Sequence, residues 1–290
     1  MNTLRWLGNT LRIISHNTMG LFGMIGIIFF LVLAFILPLF IPVDNKTRMD
    51  KVYQPPSAEH ILGTDFQGRD IFSIIVHGGK DVIVVAFLTG LISTGIAVTL
   101  GAMGALLGGI VDVVITTMAD IVLAIPAIPL LIVIASVIKL GPSDVALLSF
   151  ILALLAWPTL TLSIRSLVLS LKQRDYVEAA RSLGLGNRHI IFSEILPNMM
   201  SYVAISMVLS MTAAVYALAA LVVLGLVPFS NNNSWPVTIN LAWTRGTIFF
   251  RDSVLNIMAP VAAIALFQLS LVSFSNALEE VFNPRLRAGN

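Results

Sequence analysis

Apolar residues run along this chain in blocks too long for soluble helices, and the intervals between charges mark them out. Between Arg12 and Asp44 no residue is charged, and from Gly20 to Pro42 nearly every position is Leu, Ile, Phe, Val, Met, Ala or Gly. A helix crosses the hydrocarbon of a bilayer with about twenty such residues, so this block predicts a first membrane helix. It is longer than a signal-peptide core and lacks a small-x-small cleavage site, which predicts an uncleaved span. The gap from Asp81 to Asp112 predicts a second. Gly141 and Pro142 separate two further apolar stretches, 113 to 138 and 145 to 170. An uncharged run from Glu194 to Arg245 holds a fifth at 199 to 227, ending at Pro228, and the gap from Asp252 to Glu279 supplies the sixth. The expectation is an all-α integral membrane protein of six transmembrane helices, with no room for a sizeable soluble domain on either side.

Composition narrows the function. Residues are 57% hydrophobic and 11% charged, against roughly 25% charged in an average soluble domain. A net charge of +2 leaves no basic field for nucleic acid. Cysteine is absent, which removes disulfides, thiol nucleophiles and Cys-type metal centres. His16, His60, His77 and His189 stand singly, with no ligand spacing such as H-E-x-x-H, so no catalytic metal is expected. No phosphate loop is present either: Gly79-Lys80 is followed by Asp81, and position 74 is Ile rather than Gly. The chain itself is expected to hold no cofactor, and any ATP must be hydrolysed by another one.

An even number of spans puts both termini on one side. Lys and Arg divide nine to eight between the sides, but five of the opposing eight fall in the long 43 to 80 segment, and long translocated loops weigh little in the positive-inside rule. Cytoplasmic termini follow. The expected organisation is a cytoplasmic N-terminus and first helix over 1–42, an ordered extracytoplasmic loop over 43–80, and a membrane core over 81–290 with a cytoplasmic loop at 171–197. In the external loop, Arg69 is expected to bridge Asp65 and Asp70.

The cytoplasmic loop carries the densest polar pattern. Asp175-Tyr176-Val-Glu178-Ala179-Ala180-Arg181-Ser-Leu-Gly184 is helix-competent, with Asp175 as N-cap, Glu178 reaching back and Gly184 terminating. A second helical run, Arg188 to Leu196, follows Asn187, and Pro197 is expected to break it before the fifth span. Ala179 and Ala180 permit close backbone approach, while Glu178, Arg181 and Arg188 offer charge-assisted contacts to a partner groove. On residue chemistry alone, a surface connector and a docking element stand equally.

Charges inside spans are rare enough to demand a role. Asp120 in the third span and Arg165 in the fourth are read as an intramembrane ion pair, with a gating role as the alternative, and Asp112 as a solvated helix cap. Gly101, Gly104 and Gly108 share a face of the second helix, a close-packing signal. Ser206, Ser210, Thr212 and Gln268 in the fifth and sixth spans are candidates for a translocation path, against the ordinary reading that such groups bond their own or a neighbouring helix. Asn231 to Asn233 with Trp235 read as an external turn with an interfacial aromatic anchor.

Glu178-Ala179-Ala180, Gly184 and Ile195-Leu196-Pro197 stand at the spacing of the EAA loop and resemble permease subunits of ABC-type importers. His60-Ile-Leu-Gly63-Thr64-Asp65-Phe-Gln-Gly68-Arg69-Asp70 is similar to the motif of the dipeptide/oligopeptide permease family, C-type subunit. So are Gly108-Gly109-Ile-Val-Asp112, Asp120 with Pro126, and Asn283-Pro284-Arg285. The chain departs from the family at Leu221-Val-Val-Leu224-Gly225-Leu226-Val227-Pro228, where Ser-Phe-Leu-Gly-Leu-Gly is usual. The resemblance implies a type I ABC importer permease fold, a five-helix core plus one N-terminal helix, in the plasma membrane of a prokaryote. It also implies a heterodimer with a B-type permease, two ATPase subunits holding ATP and Mg, and an extracytoplasmic substrate-binding protein. Tyr176, Glu178, Ala179, Ala180, Arg181, Gly184 and Arg188 would then form the coupling contact. Peptide is the expected cargo, with oligosaccharide or nickel as alternatives. A proton-coupled secondary transporter using Asp120 is the rival class, and a channel-like subunit a third.

Overall fold

The structure, a computed structural model, describes residues 17–43, 45–138, 144–186, 189–227, 233–250 and 253–282. Helix is the only regular structure among them that could span hydrocarbon, as expected where each backbone N–H and C=O must be satisfied without water. Helix α1 (Thr18–Leu31) is capped by Asn17, whose Oδ1 accepts from Gly20 N at 3.0 Å, and continues through a wide turn at Val32–Ile36. It rests mainly on the C-terminal helix α9 (Val254–Phe282). A side chain at Gly23 would drive its Cβ to 2.4 Å from the backbone N of Phe274, so the two axes approach as only glycine permits.

Helix α2 (Ile71–Leu107) has 37 residues and begins where Asp70 accepts from Ser73 N at 3.0 Å. A carboxylate cap starts this helix ten residues earlier than the charge gap indicates, and His77 Nε2 within it pairs with Ile41 O at 2.9 Å. Helix α2 is the centre of the bundle, packed along α5 (Val145–Leu171) and α7 (Leu196–Val223).

The third span is not one helix. Helix α3 (Gly109–Ala124) and α4 (Ala127–Val137) are bent by 86° at a break. Pro126 supplies no N–H and pushes Ile125 to an extended backbone, φ −92° and ψ 126°. Among the described residues five helices are long and apolar enough to cross a membrane, and the bent pair, counted as one span, makes six.

Trp235 corrects another expectation. It is fully buried rather than interfacial, its Nε1 donates to Ile75 O at 2.9 Å, and its ring meets Phe30 and Phe267 edge-on. Gly78 and Gly79 of α2 make the space: a Cβ on Gly79 would lie 2.6 Å from the indole. Trp235 opens helix α8 (Trp235–Thr244), ten residues or about 15 Å long, too short to span. The 45–70 segment folds onto this end. Arg69 pairs with Asp65 at 2.6 Å and donates to Asn233 Oδ1 at 3.1 Å, so it bridges to the segment before α8 rather than to Asp70. Tyr53 bonds Thr247 at 3.1 Å and stacks on Phe250.

Candidate coupling surface and intramembrane polar groups

The segment between α5 and α7 contains a short helix, α6 (Asp175–Ser182). Its N-cap is Arg174, one residue before the expected Asp175; Asp175 and Glu178 lie in its first turn and Arg181 in its last, the sign order that suits the helix dipole. Gly184, at φ +74°, ends it with Leu185 N donating to Ala180 O at 3.1 Å, a closure that favours glycine. Val177 and Ala180 are buried in a second apolar cluster with Ala97, Ala102 and Ala105 of α2, Ile164 and Val168 of α5, and Ile190, Ile195 and Met199. Tyr176, Glu178, Ala179 and Arg181 face outward. Ala180, expected beside Ala179 at the contact surface, instead holds the helix to the bundle, because residues three apart share a helical face and Val177 fixes which face is inward. An open cavity of about 590 Å³ adjoins the outward face, lined by Lys172, Gln173, Glu178, Arg181 and Ser182.

Arg188 and Asn187 lie outside the described residues, as do Pro228 and Asn283-Pro284-Arg285. The run expected from Arg188 to Leu196 is observed as a wide helical turn, Ile190–Ile195, that passes straight into α7. Pro197 does not break it. It sits in the first turn of α7, where a missing N–H is tolerated.

The expected ion pair between Asp120 and Arg165 is replaced by another. Arg165 of α5 holds Asp112 of α3 with both faces of its fork, Nε to Oδ1 and Nη2 to Oδ2, the latter at 2.5 Å. Asp112 is thus a paired group rather than a solvated cap. Gly101 of α2 explains the choice: its Cβ would lie 2.8 Å from Thr161 O and 3.1 Å from Arg165 N, so α5 crosses α2 at the level of Arg165. Gly104, one turn on, leaves 3.1 Å to Asp112 Oδ1. Lys172 Nζ donates to Ala105 O at 3.1 Å, fastening the same corner. Gly108 serves differently from the packing expected of it; at φ +65° it is the turn from α2 into α3. Asp120 lies on the exposed side of α3.

Ser206 and Gln268 are buried, and Gln268 Nε2 donates to Thr212 O at 3.1 Å, joining α9 to α7. Thr212 Oγ1 returns to Val208 O of its own helix, and Ser210 is half-buried. Gln268 thus joins two helices and Thr212 bonds its own, the ordinary reading of such residues. Sequence reasoning missed the Asp112–Arg165 pair, the anchoring role of Lys172 and the short helix α8; Pro126 was the signal available for the break between α3 and α4.

Comparison with known proteins defines the class. Residues 97–288 match the family described as binding-protein-dependent transport system inner membrane component, and the chain belongs to it. It is an integral membrane permease subunit of the ABC importer type, with the type I permease fold. Residues 6–56 match the N-terminal TM domain of oligopeptide transport permease C, which makes it a C-type subunit. The dipeptide transport system permease protein DppC of Alkalihalophilus pseudofirmus is 31% identical over 95% of this chain and 88% of its own length. DppC of Bacillus subtilis is 28% identical over 98% and 88%. The oligopeptide transport system permease protein OppC of Mycobacterium bovis is 28% identical over 72% of each.

Proposed function

We propose that this chain is one of two transmembrane subunits of an ATP-driven importer of di- and oligopeptides, worked from the cytoplasm through α6. Its partners are a B-type permease, two ATPase subunits that bind ATP and Mg, and an extracytoplasmic binding protein, and both termini are cytoplasmic. The observation that carries the reading is the two-faced construction of α6. One face is packed through Val177 and Ala180 onto α2, α5 and the start of α7, and the other presents Tyr176, Glu178, Ala179 and Arg181 beside an open polar cavity. A short helix built this way passes a push at its outer face into three long helices at once, because packed interiors shift as rigid bodies rather than deform. The relatives' names support peptide over oligosaccharide or nickel, and membership of a binding-protein-dependent family supports an external motor over a proton gradient.

The test is uptake by the complete five-chain assembly in proteoliposomes. Glu178→Lys reverses the charge on the outer face, and Gly184→Leu forces a side chain into a left-handed backbone. Both variants should insert and assemble, hydrolyse ATP and import little. Normal uptake by both refutes the assignment of α6.

A further inference from the structure

A cavity of about 570 Å³ lies between α1, α2, α7 and α9, lined from within residues 27–35, 83–88, 204–211 and 267–278 of these elements. Every described side chain lining it is Ile, Leu, Val, Phe, Met or Ala. Water needs two to four polar partners to stay in a cavity, so it finds no hold here, and a peptide would bring backbone groups with nothing to bond. Left empty, the space forfeits the dispersion contacts of its whole lining, and an apolar cavity of only about 150 Å³ already takes up benzene. The occupant must be apolar.

The helices limit its shape. Gly23 and Gly26 bring α1 against Phe274 and Ser270 of α9, so the start of α1 and the end of α9 lie on the same side of the bundle. Against α2, α1 rests mainly on the wide turn that continues it, Val32–Ile36. Leu31, Phe35 and Phe87 line the cavity and are also exposed, so it opens sideways between α1 and α2, at hydrocarbon depth. Along α9 it runs from Phe267 to Leu278, about 16 Å. That is half of a hydrocarbon layer about 30 Å thick, the reach of one acyl chain. Spread over that length, 570 Å³ gives a mean cross-section of about 36 Å², under half that of a helix about 10 Å across. A membrane helix of a second subunit is too thick to enter. The walls do not suit one either: helices in lipid meet on small residues, and among the described lining residues only Ala204 is small.

We infer that this cavity is a binding site for one acyl chain of a phospholipid from the half of the bilayer in which α1 begins. The gain is dispersion contact rather than hydrophobic transfer, since the chain passes from one apolar medium to another. Seated there, it completes the packing of α1, which rests along its length mainly on α9.

The experiment uses the full-length chain with its copurifying subunits, in vesicles of phosphatidylethanolamine and phosphatidylglycerol that carry a phospholipid with a diazirine midway along one acyl chain. The assembly is moved into lipid-free detergent and then irradiated, so that only retained lipid can label it. Label should appear on Met207 and Met211 in the cavity and not on Phe22 and Phe29 of the exposed face of α1. Irradiated in the vesicle itself, Phe22 and Phe29 should take label in wild type and variants alike. Ala204→Phe and Leu88→Trp fill the space from two different walls, and each should lose most of the Met207 and Met211 label in detergent. No label on Met207 and Met211 in wild type, or label undiminished in both variants, overturns the inference. Photoreactive methionine at 207 or 211 that joins a second protein chain instead of lipid also overturns it, and gives the cavity to a partner subunit's side chains.

Discussion

Replacing Asp112 with Ala leaves the Arg165 guanidinium without its carboxylate at the inner end of the bundle. The magnitude follows from where the pair sits. Its side chains retain 28% and 21% exposure, between exposed pairs, worth about 0.2 to 1 kcal/mol, and fully buried ones, whose disruption costs about 3 to 5 kcal/mol. The fork geometry supplies two charge-assisted hydrogen bonds, so an interaction energy of about 1 to 3 kcal/mol is expected. A double-mutant cycle isolates it. Asp112→Ala, Arg165→Ala and the double variant are compared by denaturation of the purified complex in detergent, and Asp120→Ala serves as the control partner. Asp112 and Arg165 should couple. Asp120 and Arg165 should add within about 0.5 kcal/mol, because groups that share no contact behave independently. Coupling of Arg165 to Asp120, with additivity to Asp112, refutes both the pairing and the crossing of α2 and α5 that sets it.

The remaining predictions concern the end of the bundle where α2 and α8 begin. Arg69→Met strips Asp65 of its buried partner and releases Asn233; a loss of about 3 to 5 kcal/mol is expected, read as proteolytic cutting of the 45–70 loop that leaves the membrane helices uncut, and an intact loop contradicts it. Trp235→Phe keeps an aromatic ring between α1, α2 and α9 but removes the donor to Ile75 O, for a loss of about 1 kcal/mol, whereas Trp235→Ala opens a cavity worth about 3 to 5 kcal/mol. Equal melting shifts for the two variants would show that the indole is not packed in the core.

The membrane helices were legible because apolar blocks bounded by charges report directly on burial in hydrocarbon, and α6 because caps and a terminating glycine are local signals. The external loop was legible as ordered, yet its end was set by the Asp70 cap, a bond between neighbours that a charge gap does not reveal. Trp235 reads equally as an anchor at a lipid headgroup or as a core residue; Gly78 and Gly79, more than 150 residues away in sequence, decide between them. Thr212 and Gln268 are polar at membrane depth whether they meet cargo or one another, and the packing of α7 on α9 joins them.

By itself the sequence determined that the chain lives in a bilayer, how many times it can cross and where a short helix lies between α5 and α7. Those properties depend on composition and short-range pattern. Which carboxylate Arg165 holds was left to the tertiary structure, since Asp112 and Asp120 lie about 12 Å apart on one helix and both suit a guanidinium. Glycine at 101 lets α5 approach α2 at the level of Arg165 and brings it against Asp112, and Asp120 is left on the exposed side of α3.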